Sequence, residues 1–476
     1  MRKTVISLCF VFLMGWLHAQ TAMTETEKKT DIAAQQVIKY LNNRRVDSAY
    51  AQMGEAFKKE LSLEKWRNIY STQLSSLLPF KTIEFKGSRS GINKYRVESV
   101  TPLQVFVSLD NYGKIHTFLV QRYQEDQRKK EMAATDNPGK AVLDKAVDAI
   151  VSDYIQMLKN VGISVAIYYK GKDHFYNYGE TKKDNKTLPG KHTLYEIGSI
   201  TKTFTGTLLA KAVLAKKIKL KDPITAYLPD SVKDNKDLQQ ITIEELANHT
   251  SGLPNLPGNF NASITDQSQP YEHYDEKALF AFLKEFTATR KPGSKYEYSN
   301  FAVGVLGVIL ERIYKQPYEQ LVNNYIDKPL RLSHTRITLP DSLAVLMAQG
   351  YNEKGDAVPA WNFNSLQACG ALKSDAADLL QYGKKQLPAF TTVLSPAFAL
   401  AHTPTFSDSL QKVGLGWHYM MNSTDKVIQH NGGTYGFRTA LCIDKTKGIV
   451  VVVLTNNANN GDALGPKLME LLSGLN

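Results

Sequence analysis

The chain has 476 residues, 43% apolar and 22% charged, which is ample for a packed core and excludes a disordered or fibrous protein. Its formal net charge of +12 raises nucleic acid as a partner, but the lysines are spread along the chain and form no basic cluster, so no nucleic-acid partner is expected. Three cysteines are too few for a disulfide scaffold.

In chain order, Arg2 and Lys3 precede an apolar run from Thr4 to Leu17, and Ala19 supplies a small residue at a cleavage point. This pattern predicts a secretory signal peptide over residues 1–19, because the run is shorter than the roughly 20 residues of a membrane span. An exported protein, periplasmic or secreted, is therefore expected. Cys9 follows Leu8 and not a small residue, which argues against a lipid anchor. No later stretch is apolar enough to cross a membrane. Removal of residues 1–19 leaves Cys369 and Cys442, whose spacing leaves a disulfide open.

Residues 20–124 read as a small α+β accessory domain. Ile32, Val37, Ile38 and Leu41 recur at helical spacing, with further amphipathic stretches around Ala51–Leu61 and Trp66–Leu77. Four short alternating runs follow, KTIEFKG, KYRVESV, LQVFVSLD and KIHTFLVQ, separated by Gly, Asn, Pro or Asp. Residues 125–141 are charged, end in Asn137-Pro138-Gly139 and read as a linker. From 142 to 476 the pattern is one large α/β unit. An amphipathic helix from Val142 leads into the hairpin GISVAIYYKG and HFYNYGE, and helices fill the middle, including Phe204–Ala215 and Val303–Tyr314. GLGWHYM, KVIQHNG, FRTALCID and GIVVVVLTN read as strands and Lys467–Leu475 as a last helix. Strands at both ends with helices between imply one sheet assembled from both termini.

The chemistry concentrates in three places. Ser199 and Lys202 stand three apart at the start of a helix, so hydroxyl and amine share a face. A serine is a weak nucleophile until a base takes its proton, and the helix start offers N–H groups to an oxyanion. The same spacing at Ser62/Lys65, Ser409/Lys412 and Ser423/Lys426 reads as solvated surface. Tyr298-Ser299-Asn300 precedes a helix; the phenol could relay protons and the amide could orient lysine and substrate. Tyr40-Leu41-Asn42 has the same pattern inside a helix and is discounted. His430-Asn431-Gly432, followed by Gly433, lies on an expected strand where glycines let a substrate approach the edge.

Together, YEIGSITKTFTG, TIEELANHTSGLP, YEYSNFAVGVLG and HNGGTYGFRT resemble the serine beta-lactamase and penicillin-binding-protein superfamily, in particular its class C and esterase-like branch, over about residues 145–476. The resemblance implies an antiparallel sheet flanked by helices and an acyl-enzyme mechanism. Ser199 matches the nucleophile, Lys202 its base and Tyr298 a proton relay. Asn300, His430 and Gly432 match substrate-binding positions, and the N–H groups of Ser199 and Gly433 match an oxyanion hole. No metal and no cofactor is expected. His249, in the Leu246–Pro254 segment, is expected to be packed core. Class C beta-lactamases carry lysine where this chain has His430, which points away from a true beta-lactamase and toward esters, amides or D-amino-acid peptides. The partner is then a small-molecule or peptide substrate, a peptidoglycan fragment among the options. The alternatives are a catalytically inactive penicillin-binding-type sensor or binding protein, and a true class C beta-lactamase. Residues 20–124 resemble cone-shaped α+β domains of the nuclear-transport-factor superfamily.

Overall fold

The computed structural model describes residues 23–89, 91–110, 112–123, 133–158, 161–420, 427–459 and 463–475. The expected signal peptide and Ser423/Lys426 lie outside them. The chain divides into two compact units, residues 1–124 and 125–476.

In the first unit, helices α1 (Glu25–Asn42), α2 (Val46–Tyr50), α3 (Glu55–Glu60) and α4 (Leu63–Ile69) precede strands β1 (Ile83–Arg89), β2 (Ile92–Val97), β3 (Leu103–Leu109) and β4 (Ile115–Arg122). The strands form an antiparallel meander in sequence order. Thr24 and Glu27 make a reciprocal capping box that starts α1. Val37 and Leu41 of α1 join Trp66, Tyr95, Val105 and Val107 in one core. Asn42, the discounted amide, bonds both backbone groups of Phe80 at 2.8–2.9 Å. Ser62 accepts from Lys65 N and caps α4, so that pair is structural.

The second unit begins its regular structure with helix α5 (Val142–Leu158) and strands β5 (Gly162–Tyr169) and β6 (Lys172–Gly179). The end of the expected linker is bound: Gly179 N donates to Ala134 O, and Asp136 accepts from both nitrogens of Asn177, because the polar side chains of 135–137 satisfy the free edge of β6. The short strand β7 (Tyr195–Glu196) leads to helix α6 (Thr201–Leu214), and α7 (Glu276–Glu285) and α8 (Asn300–Tyr314) follow. A ribbon of β8 (Gly350–Tyr351) and β9 (Ala357–Val358) precedes β10 (Lys373–Ser374), which pairs with β7. Helices α9 (Ala376–Lys384) and α10 (Ser395–His402) lead to β11 (Phe406–Ser407), β12 (Lys412–Val413), β13 (His418–Tyr419), β14 (Val427–Gly433), β15 (Arg438–Asp444), β16 (Ile449–Thr455) and α11 (Leu464–Gly474).

One antiparallel sheet runs β11-β12-β13-β14-β15-β16-β5-β6, so the last strand of the chain pairs with the first of this unit, Val453 opposite Val165. Alternate side chains of β16 face opposite ways. Val451 and Val453 pack with Val147 and Val151 of α5 and Leu468 of α11. Val450, Val452 and Leu454 pack into the larger helical core with Phe204 and Leu208. Covering on both faces explains the unbroken apolar run in β16. Helix α6 is buried on nearly every side; Thr203 and Thr207 donate locally, to Ile200 O and Thr203 O, while Thr205 reaches Ala368 O.

One expectation needs correction and one open question is answered. GLGWHYM contributes only His418 and Tyr419 to a strand, because Gly416 takes φ +71 and turns the chain against Lys202 O, where a Cβ would overlap. The two cysteines left open as a disulfide are both free and buried.

His402, at the end of α10, is 4% exposed and bonds Gln386 Oε1 at 2.9 Å; burial pushes its pKa down to about 3. A folded pKa below the unfolded value of about 6.5 means that the unfolded chain takes the proton first as pH falls. The stability held above pH ~6.5 is therefore lost toward pH 3, on the order of 3 kcal/mol of it by pH ~4 for this group. Thermal melts across that window will show the fall, and His402→Asn will flatten it; an unchanged slope rejects the assignment.

Candidate active site

The turn Gly198–Ile200 links β7 to α6 and carries Ser199. Ile197 N donates to Leu372 O at 3.0 Å, and Thr439 Oγ1 donates to Ile197 O at 3.0 Å, so the residues before the serine are pinned by the residue preceding β10 and by β15. Gly198 has φ +50, and a Cβ there would stand 2.6 Å from Gly433 N. The end of β14 thus lies directly against the serine turn.

Lys202 follows one turn later and is fully buried. Its Nζ donates to Ser199 Oγ at 3.0 Å, Asn300 Oδ1 at 2.7 Å and Cys369 O at 2.6 Å. Tyr298 donates its hydroxyl to the same Ser199 Oγ at 2.7 Å. Lys202 Nζ also lies 4.9 Å from the Tyr298 ring centroid. Asn300 opens α8, and Ser299 caps it by accepting from Ala302 N at 2.8 Å. Ser199, Lys202, Tyr298 and Asn300 therefore meet within hydrogen-bond reach, although 98 residues separate Lys202 from Asn300.

A family model described as Beta-lactamase matches residues 147–472. The chain belongs to the beta-lactamase family. Its members are serine hydrolases, and this protein is an enzyme of that class. It is 30% identical over 346 residues to a beta-lactamase of Pseudomonas fluorescens, covering 66% of this chain and 93% of that one. It is 33% identical over 256 residues to a beta-lactamase of Providencia stuartii, covering 53% and 62%. Among solved structures, a class C beta-lactamase matches with a TM-score of 0.64 at 23% identity over 72% of this chain and 98% of the other. A beta-lactamase/D-alanine carboxypeptidase from Pseudomonas syringae gives 0.62 at 24% identity over 71% and 100%. Those structural likenesses establish the beta-lactamase fold.

His430, expected at a substrate-binding position, lies on β14. His430 is 2% exposed, and its Nδ1 lies 2.6 Å from Asn431 O. A carbonyl only accepts, so Nδ1 carries the proton and Nε2 presents a lone pair. That N–H is thus engaged by the strand itself, and Nε2 has no partner among the described residues. Burial, with His418 and Lys202 nearby, holds the ring well below its ordinary pKa, so it is neutral. His418 is pushed down to about 4 by burial and bonds Tyr296 at 2.7 Å. These groups, with Tyr298, Gln429 and Asn431, line a pocket of about 210 Å³, and the described residues of its wall include no carboxylate, lysine or arginine.

His249 is packed, as its motif suggests: φ is +62, Nδ1 accepts from Ser299 N at 3.2 Å, and its ring lies 4.4 Å from that of Tyr298. Sequence reasoning missed three supports. Cys369 contributes only a carbonyl, which leaves no mark in residue type. Asn255 bonds Asn300 N at 3.2 Å. Glu196 accepts from Thr434 Oγ1 at 2.7 Å and Trp361 N at 2.6 Å, joining the serine strand to the hairpin after Gly433. Its place in YEIGS was the available signal.

Among the described residues no helix is long and apolar enough to cross a membrane.

Proposed function

We propose that this enzyme is an exported hydrolase that forms an acyl-enzyme on Ser199 from an ester, an amide or a D-amino-acid peptide. The observation that carries it is the pair of bonds on Ser199 Oγ, from Lys202 Nζ at 3.0 Å and Tyr298 Oη at 2.7 Å. When Oγ attacks a carbonyl, the proton it releases has those two atoms as neighbours. As base, Lys202 keeps its donations to Asn300 Oδ1 and Cys369 O and turns its lone pair to the Ser199 hydroxyl proton; Tyr298 relays the proton to the leaving group; Asn300 orients the lysine. The N–H groups of Ser199 and Gly433 receive the developing oxyanion. Thr434 N donates to Phe437 O across the β14–β15 hairpin, and in an alternating antiparallel ladder the preceding N–H, that of Gly433, faces away from β15. Water then releases the acyl group. Gly432 keeps β14 close to the serine turn, and neutral His430 forms part of a wall suited to an uncharged substrate group.

The names of the relatives favour a second reading, beta-lactam hydrolysis. An uncharged His430 offers a carboxylate no cation, which supports the first reading. High turnover of a chromogenic cephalosporin would reverse that order.

The test is intact mass after treatment with a fluorophosphonate. The wild type will gain one adduct and Ser199→Ala none, and the same spectrum will show loss of residues 1–19 if export processing is as proposed. No adduct on either protein rejects Ser199 as an activated nucleophile.

A further inference from the structure

Away from Ser199, His192, His334 and Asp375 bring one donor atom each to within 4.8 Å of one another. They come from three segments: the turn before β7, the loop after the short helix Lys328–Leu330, and the residue that caps α9. His192 Nδ1 lies 2.9 Å and His334 Nδ1 2.5 Å from the same oxygen, Asp375 Oδ2. The rings stand edge to face with centroids 4.8 Å apart.

The cluster is held from behind. Asp375 is fully buried, and its other oxygen accepts from Asp378 N at 2.7 Å, which fixes the carboxylate by capping α9. Asp378 accepts from His334 N at 2.7 Å and Ser333 N at 3.3 Å, fixing the second histidine's backbone. Ala377 N donates to Lys191 O at 3.1 Å, tying the His192 turn to the same helix. One side is open, since the His192 side chain is 47% exposed and that of His334 21%.

We propose that His192, His334 and Asp375 form a binding site for a divalent transition-metal ion, zinc(II) by preference. Two imidazole nitrogens and one carboxylate oxygen suit zinc and are too nitrogen-rich for calcium or magnesium. Zinc sits about 2.0–2.1 Å from such donors, so tetrahedral ligands stand roughly 3.4 Å apart. Insertion moves each Nδ1 off Oδ2 by about an ångström or less. On binding, the proton of each ring passes from Nδ1 to Nε2, Nδ1 gives its lone pair to the ion, and water fills the fourth position on the open side. The carboxylate already has the outer hydrogen bond that ligating groups need. The ion is structural: it clamps the His192 turn to α9 at the root of β7, the strand that runs into Ser199. The ligands are scattered through the chain, so no spacing motif announces them.

The test uses the full chain stripped with a chelator. Calorimetric titration with zinc chloride will give one equivalent at a micromolar or lower Kd and a rise in Tm. His192→Gln and His334→Gln will each weaken binding at least tenfold and abolish that rise. Cobalt(II) will give visible bands of tetrahedral intensity in the wild type alone. Absence of stoichiometric binding, or binding unchanged in His192→Gln, leaves an imidazole–carboxylate network only and overturns the site. His192 is half exposed, so its variant decides the matter even where the His334 variant fails to fold.

Discussion

Lys202→Met will slow fluorophosphonate labelling of Ser199 by roughly 10³-fold or more, the scale of a lost general base acting directly on the nucleophile. Methionine keeps most of the stem's volume inside a fully buried site, so the fold is retained while the amine is lost. What goes is the group that touches Ser199 Oγ, Asn300 Oδ1 and Cys369 O together. Tyr298→Phe is the comparison. It removes one of the two neighbours of Oγ and leaves Lys202 with all three of its acceptors, so its loss in labelling is smaller, about 10²-fold. Labelling by Lys202→Met within tenfold of wild type, with an unchanged melting temperature, would reject the lysine as base. A larger loss in Tyr298→Phe than in Lys202→Met would transfer that role to the phenol.

The part of this site legible in sequence is the part built by local geometry. Ser199 and Lys202 meet because one helical turn separates them, and Tyr298 and Asn300 follow from a cap that starts α8. The two-ended sheet was legible because strand patterns stand at both ends of the unit with helices between, and the structure adds that the valines of β16 alternate between two cores. What escaped is backbone chemistry and direction. Cys369 acts through a carbonyl that lies 167 residues from Lys202, and any residue type would supply it. His-x-Gly announced a histidine at the third motif, yet only the backbone of β14 determines that Nδ1 is bound to Asn431 O and Nε2 is the free atom. GLGWHYM looked like a strand by composition because its apolar residues pack, but Gly414 and Gly416 fit under Ala401 O and Lys202 O, and that close approach turns the chain.

The second large effect concerns two neighbouring glycines that sequence treats alike. Gly432 is buried, and a Cβ there would overlap Ile197 O and Thr439 Oγ1, the two atoms whose hydrogen bond pins the approach to Ser199. Neither atom is the end of a flexible chain, so in Gly432→Ala the methyl must push β14 away from the serine turn. Gly433 N moves with the strand, and loss of an oxyanion donor costs roughly 10²–10³ in rate. Overpacking adds about 1–3 kcal/mol of destabilisation, which a melt will register. Gly433 is exposed, and a Cβ there would meet the Arg438 guanidinium at 3.1 Å, the far end of a flexible side chain that bonds Thr434 O and Phe437 O and need give only a few tenths of an ångström. Gly433→Ala should therefore keep its melting temperature and lose far less activity, since its N–H stays in place. The order of the two variants is the test. If Gly432→Ala labels as fast as wild type, β14 has slack against the serine turn and Gly433 N is no fixed donor. If the two lose activity equally with unchanged melts, the methyl acts by blocking substrate at the strand edge, and the close packing of Gly432 is irrelevant to the chemistry.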